Sequence, residues 1–258
     1  MTDIFQASAS NVRWSHILIR LGLIAGIFIV PITTQWLLIS LLAYYIYFGI
    51  GLGITLHRYY SHRSFEFSNA AVKWLFILIA ILTLRGSPIA WAYIHRKHHK
   101  NVDTPDDPHT PVGHKLELFA LMDKEHSTDK LNVFEIRKMM NKENIFINRW
   151  YWLFILACIV PLALFSFTAL FYMWMLPVAL VQLSITLHNH LAHTGMIGSY
   201  RNYEEGNVGF SNNLPLLWPV YLGEAWHNNH HYKGQNYNCQ LHWWEFDPQA
   251  LIIKLVKQ

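Results

Sequence analysis

Charge is what this sequence has least of. Asp, Glu, Lys and Arg make up 14% of its 258 residues, against roughly a quarter in an ordinary soluble domain. No charged side chain occurs across residues 21–57 or 150–200. A chain folded in water has no reason for two such gaps, whereas a bilayer demands them. Cysteine is nearly missing too. Cys158 lies in an apolar run and Cys239 near the end, with no C-x-x-C, which excludes a disulfide framework and a thiolate metal site. The net charge of +4 is spread along the polar segments, a poor footprint for nucleic acid. The first residues, Met1 to Gln6, hold no basic cluster and no small-residue cleavage site follows. No removable signal peptide is expected, and the first apolar run should remain as an anchor. Internal repeats and low-complexity tracts are also absent.

What is present is apolar and aromatic, with eleven Trp, thirteen Tyr and fifteen Phe, the material of membrane interface belts. Residues 17–30 and 36–56 are apolar, separated by Pro31-Ile32-Thr33-Thr34-Gln35, with Arg20 near the entry where it can snorkel. A second pair of runs starts at Trp150 and contains Pro161 and Pro177. The fold expected is all-α and integral to the membrane. It has two helical hairpins, with four spans at about 15–31, 36–56, 150–166 and 170–189, and a helical cap at 57–149 and 194–258, in one domain over 1–258. The run at 72–84 contains Lys73 and ends before Gly86-Ser87-Pro88. It falls short of the roughly 17–25 residues a span needs, and a crossing would part the first two histidine clusters, so it is expected as a buried or interfacial helix, with a short span as the alternative. Residues 116–144 read as an amphipathic water-side helix or pair, after a loop at 103–108. The turns at 31–35 and 166–168 carry no Lys or Arg, so both termini and the cap should face the cytosol.

Histidine carries the chemistry. Glu224-Ala225-Trp226-His227-Asn228-Asn229-His230-His231 puts three imidazoles at i, i+3 and i+4, one side of a helix. His95, His98 and His99 repeat that spacing, and His57 and His62 stand five apart. One such cluster is ordinary surface decoration. Three, eight histidines in all, separated by long apolar segments, point to a polynuclear transition-metal site. Carboxylates should accept from the outward ring N–H groups, and Glu66, Asp103, Asp107 and Glu224 are the candidates.

The order H-x-x-x-x-H, H-x-x-H-H, H-x-x-H-H resembles the integral-membrane fatty acid desaturases, the delta-9 type most closely. The resemblance runs over about residues 37–247. It is carried also by Gly53-Ile54-Thr55, His62-Arg63-Ser64-Phe65, Asp107-Pro108-His109 and Gly223-Glu224. It implies an oxidoreductase with two iron ions that uses O2 to insert a cis double bond into a long saturated acyl chain, fed by a separate ferredoxin or cytochrome b5 system. It also implies two further metal-shell residues in Leu187-His188-Asn189-His190-Leu191-Ala192-His193: His193 as a direct ligand and Asn189 through a water. His188 and His190 are expected outside the ligand set. His16, His109, His114, His126 and His242 are expected to be ordinary, with His109 a possible brace for the second box. Tyr93-Ile94 stand where acyl-CoA members commonly carry Arg-Asp. Arg85-Gly86-Ser87-Pro88 resembles the Gln-Gly-Ser-Pro word of acyl-lipid members, so an acyl-lipid substrate is favoured over acyl-CoA, with Arg85 available to a phosphate. Ala225 and the register of Asn212-Asn213 depart from the pattern. Residues of the spans such as Tyr44, Phe48, Ile50 and Leu183 are candidates to line an acyl passage, or simply to pack.

Two other readings stand beside this one. A membrane di-iron hydroxylase or monooxygenase would use the same boxes, and is separated by whether the product gains oxygen. A metal transporter would place polar ligands within its spans, whereas here they lie at the ends.

Overall fold

The computed structural model describes residues 7, 9–108 and 136–258. Among them the protein is helical, with no strand and only two isolated bridges, Phe67 to Lys257 and Tyr200 to Asn213. Helices α1 (Ala9–Ile27), α2 (Thr34–Ser61), α3 (Ala70–Leu82) and α4 (Pro88–Lys100) precede the gap. Helices α5 (Lys142–Arg149), α6 (Tyr151–Phe165) and α7 (Phe167–Thr194) follow it, then α8 (Trp218–Tyr221), α9 (His227–Tyr232) and α10 (Pro248–Val256). Two helices, α2 and α7, are long and apolar enough to cross a membrane. The pair α5 and α6, bent by 55° at its break, adds a third if taken as one span.

The apolar runs become helices at hydroxyl caps. Thr33 Oγ1 accepts from the Trp36 N–H at the start of α2, and Ser166 Oγ accepts from Ala169 N–H at the start of α7. Each occupies one of the two uncharged turns and satisfies a donor that lipid would leave bare. Helix α1 packs on α7 with almost no room: a Cβ on Gly22 would enter the Met175 side chain, and one on Gly26 the Phe171 ring. Such close approach through small residues is how helices associate where water does not drive them. Outward, Leu18, Ile24, Leu38, Leu42, Leu164 and Leu183 remain exposed, as side chains facing lipid tails do.

The limits differ from the sequence expectation in an informative way. Helix α2 does not stop at Leu56 but runs on through His57 to Ser61, and α7 runs through His193. Hydropathy falls at these points, yet the backbone stays helical because the polar side chains are buried in protein. Helix α3 is short, 13 residues, and packs along the lower half of α2 and on α6, burying Phe76, Ile77, Ala80 and Ile81 while Trp74 and Leu75 stay exposed. The amphipathic helix expected over 116–144 lies mostly outside the described residues. Where it enters them it is not continuous: a 3₁₀ turn at Arg137–Met139 ends, and Asn141 caps a new helix by accepting from Asn144 N–H. Asn144 therefore begins α5 rather than closing the earlier helix. His109, His114 and His126 lie outside the described residues.

Candidate metal centre

His57 and His62 stand five residues apart, which on an α-helix would set them about 140° apart. The lower half of α2, Ile46–Ser61, is wound instead as a π-helix. The His62 N–H donates to the His57 carbonyl at 3.1 Å, an i to i+5 bond, and this winding brings both rings to one side. Helices α4 and α9 then bring three histidines each, and α7 brings His193.

The nine rings sort into two groups whose ligand atoms lie within 4.8 Å of one another: His57, His62, His95, His99 and His230, and His98, His193, His227 and His231. The two H-x-x-H-H boxes are used in opposite senses. Helix α4 sends its i and i+4 rings to the first group and its i+3 ring to the second; α9 does the reverse. Asn189 stands on α7 four residues ahead of His193, on the same helical face.

Within each group the Nε2 atoms face one another. In the five-histidine set His57 meets His230 at 2.9 Å, His62 meets His95 at 2.8 Å and His230 meets His99 at 3.0 Å. In the four-histidine set His193 meets His227 at 3.0 Å, His231 meets His227 at 2.9 Å and His98 meets His231 at 3.2 Å. The outward nitrogens decide what this means. His57 Nδ1 lies 2.5 Å from Glu224, His98 Nδ1 2.9 Å from Asp107 and His193 Nδ1 3.1 Å from Asp103. With the ring proton held on that side, each of these three Nε2 atoms presents a lone pair inward. Lone pairs converging at these distances call for cations between them, so the donor set fits two transition-metal ions.

Three of the four expected carboxylates are thus in place. Glu66 is not among them: it is exposed, and its backbone carbonyl accepts from Gln258 N–H at 2.9 Å. Burial alone would raise Glu224, but His57 and Arg58 beside it hold its pKa down at about 2. Asp103 is likewise lowered against the pull of burial, by its bond from His193. Burial, then the neighbouring histidines, push His95, His99, His227, His230 and His231 well below the usual imidazole value. His62 is lowered in the same way by burial and by His57. All six stay neutral, the form that ligates.

Several further histidines lie outside the two groups. His188 donates from Nε2 to the Glu224 carbonyl at 2.9 Å, and His190 is only partly buried and belongs to neither group. His16 donates to the Leu84 carbonyl, and His242 stacks on Trp244. Arg85 differs from its expectation. It is 2% exposed, lying over the Trp91 ring, and is not displayed to a headgroup phosphate. Tyr44 and Phe48 are buried, whereas Leu183 points outward.

The asparagines between the third-box histidines went unremarked in the sequence, and they hold that box in place. Asn213 Oδ1 accepts from Asn228 N–H at the start of α9. Asn228 Oδ1 accepts from the N–H groups of Asn202 and Tyr203, and Asn229 Nδ2 donates to Glu245. The larger omission is Arg58, buried at 1% exposure. It donates to Asp247 at 2.8 Å, Glu224 at 3.1 Å, Gln249 at 3.3 Å and the Tyr237 carbonyl at 2.8 Å. Gly53 admits this cluster, since a Cβ there would strike Gln249 and come within 2.9 Å of Glu224. The one signal available was Arg58 itself, a cation following His57 directly at the end of an apolar helix.

Among the described residues the fold is helical, with long apolar helices and nine histidines that converge at their polar ends into two groups, each able to hold a metal ion. Residues 33–254 match the family model described as "Fatty acid desaturase". Curated relatives agree. The sn-1 stearoyl-lipid 9-desaturase of Anabaena variabilis is 28% identical over 98% of this chain and 94% of the relative. The delta-9 acyl-lipid desaturase 2 of Arabidopsis thaliana is 30% identical over 80% of this chain and 67% of the relative. An acyl-CoA C20 delta5-desaturase of Anemone leveillei is 27% identical over 94% and 78%. The chain belongs to the fatty acid desaturase family, an oxidoreductase of lipid metabolism.

Proposed function

We propose that this protein inserts a cis double bond, at the delta-9 position, into a saturated long acyl chain carried on a lipid. The observation that supports this most is the pair of inward-facing histidine sets, which fits two irons. His57, His62, His95, His99 and His230 would hold one. His98, His193, His227 and His231 would hold the other, with Asn189 acting through a water. Two irons held there would supply reductive activation of O2, and the overall reaction would consume one O2, two electrons and two protons as two adjacent methylenes lose hydrogen, giving the alkene and two waters. The protein's residues do the rest. Glu224, Asp107 and Asp103 hold ring protons outward, and the asparagines of α9 fix where its imidazoles point. The apolar walls of α2 and α7, with Tyr44 and Phe48 buried between them, would exclude water and set one C–C bond of the chain beside the metals.

The acyl-lipid carrier is favoured by the names of two relatives, by Tyr93-Ile94, and by Gly86-Ser87-Pro88. Four spans in one domain are proposed, α1 serving as the first: its exposed Leu18, Leu21 and Ile24 suit lipid. The uncharged turns orient both termini and the boxes to the cytosol.

The deciding experiment is a fatty acid profile by gas chromatography and mass spectrometry with double-bond location. Cells expressing the protein would be compared with cells expressing His230→Ala, both with an electron donor. A new monoene is expected only with the unaltered protein. A hydroxylated product would replace this reading with a monooxygenase, and absence of bound iron would end it.

Electrons would come from a ferredoxin or cytochrome b5. Lys100 is exposed and Lys97 half-buried on the outer side of α4, beside the second box, where an acidic carrier would dock. Reversing both to Glu should slow turnover severalfold at low salt and much less at high salt. Equal rates at both salts would place the docking surface elsewhere.

A further inference from the structure

The two histidine sets are alike in ligand chemistry and unlike in charge. In the four-histidine set two different ligands are bonded to carboxylates, His98 to Asp107 and His193 to Asp103. In the five-histidine set, among the described residues, one ligand is so bonded, His57 to Glu224. That carboxylate is shared: its other oxygen takes the Arg58 guanidinium at 3.1 Å, which also pairs with Asp247 at 2.8 Å, so two carboxylates here stand against Arg58 and the cation that follows. A second cation sits on the same side, where Arg96 donates to the Ser61 and Tyr60 carbonyls at 2.7 and 3.0 Å, next to His62.

A carboxylate accepting a ring N–H pushes electron density toward the opposite nitrogen, and buried charge near a metal favours one oxidation state over the other. We propose that the two metal sites are electrically unequal, the four-histidine site being the more anionic, so that the five-histidine site is reduced first. The fifth imidazole adds a donor but no charge, and offsets only part of this. Glu224, Arg58, Asp103 and Asp107 act here as positioning and field-setting residues rather than as groups that touch substrate. The inference rests on the reading of both sets as iron sites.

Partners of this kind are worth about 10–100-fold in metal affinity. The ferric-to-ferrous ratios of the two sites should therefore differ at least tenfold at any one potential, about 59 mV for one electron. The test uses purified protein carrying two irons per chain, poised anaerobically at graded potentials and read by Mössbauer spectroscopy. His62→Ala and His98→Ala, each expected to retain one iron, assign the two signals. The five-histidine iron should turn ferrous first. Glu224→Gln should raise the potential of that site alone and widen the gap, and Asp107→Asn should raise the other alone and narrow it. Sites that reduce together, which the unaltered protein shows by itself, or in the opposite order, which the assigned signals show, would overturn the proposal. Fewer than two irons per chain would instead fault the reading of the sets as an iron pair.

Discussion

Replacing Arg58 with Met should leave almost no folded protein to purify. The side chain is 1% exposed, and it stands between Glu224, which is 4% exposed, and Asp247, which is 2% exposed. Without the guanidinium two carboxylates would face each other in a dry interior. Leaving a buried charge uncompensated costs about 3–5 kcal/mol, a large part of the roughly 5–15 kcal/mol by which a protein is stable. The loss would spread, because the Arg58 cluster joins three distant parts of the chain: the π-wound end of α2, the Gly223–Glu224 turn and the entry to α10. Monodisperse protein measured by size-exclusion chromatography in detergent should fall at least tenfold. Arg58→Lys, which keeps the charge but not the fork, should recover part of it. Combining Arg58→Met with Glu224→Gln and Asp247→Asn removes the unpaired charges while leaving an oxygen to cap α10, and should restore folding better than Lys does, while lowering iron content. If the single variant purified normally, the cluster would not be the brace described here.

Acid should unfold the metal-free protein abruptly, starting near pH 6.5. His62, His95, His99, His227, His230 and His231 all have folded pKa values well below the ordinary imidazole value, chiefly through burial. Below about pH 6.5 the unfolded chain binds protons at these positions and the folded protein does not. Stability is therefore intact above that value and is lost as pH falls below it. Each such proton contributes up to about 1.4 kcal/mol per pH unit, so six together reach several kcal/mol within one unit. Glu224 adds to the loss only later, between about pH 4.5 and its folded value near 2. A bound metal occupies the same lone pairs, so the loaded protein should resist to lower pH and lose iron and fold together. Thermal midpoints of metal-free and loaded protein between pH 8 and 5 would show this. Parallel curves would mean that the histidines do not stay neutral in the folded state.

The sequence was informative wherever a single local property decides the outcome. Two long uncharged stretches announce long apolar helices, because lipid admits few alternatives, and 72–84 announces a shorter one. Eight histidines at three helical spacings announce clusters able to hold metal, since neutral imidazole is costly to bury in such numbers for any other purpose. Three bracing carboxylates could be named from proximity along the chain. Helix limits were less legible: α2 and α7 continue past the point where hydropathy falls, because what keeps His57 and His193 helical is burial against other segments.

Spacing determined that His95, His98 and His99 share one side of a helix, as do His227, His230 and His231. It left open how each trio divides between the two histidine groups. That depends on how α4 and α9 approach each other, and the opposite use of the two boxes emerges only when the helices are packed. The same holds for Arg58. Its partners lie 166, 189 and 191 residues away, and no local pattern pairs a cation with carboxylates at such a distance. Histidine number, ligand type and membrane setting were written in the residues themselves. The division into a five-histidine and a four-histidine site, and the charge that each receives, came from tertiary packing, because electrostatic fields act through space and not along the chain.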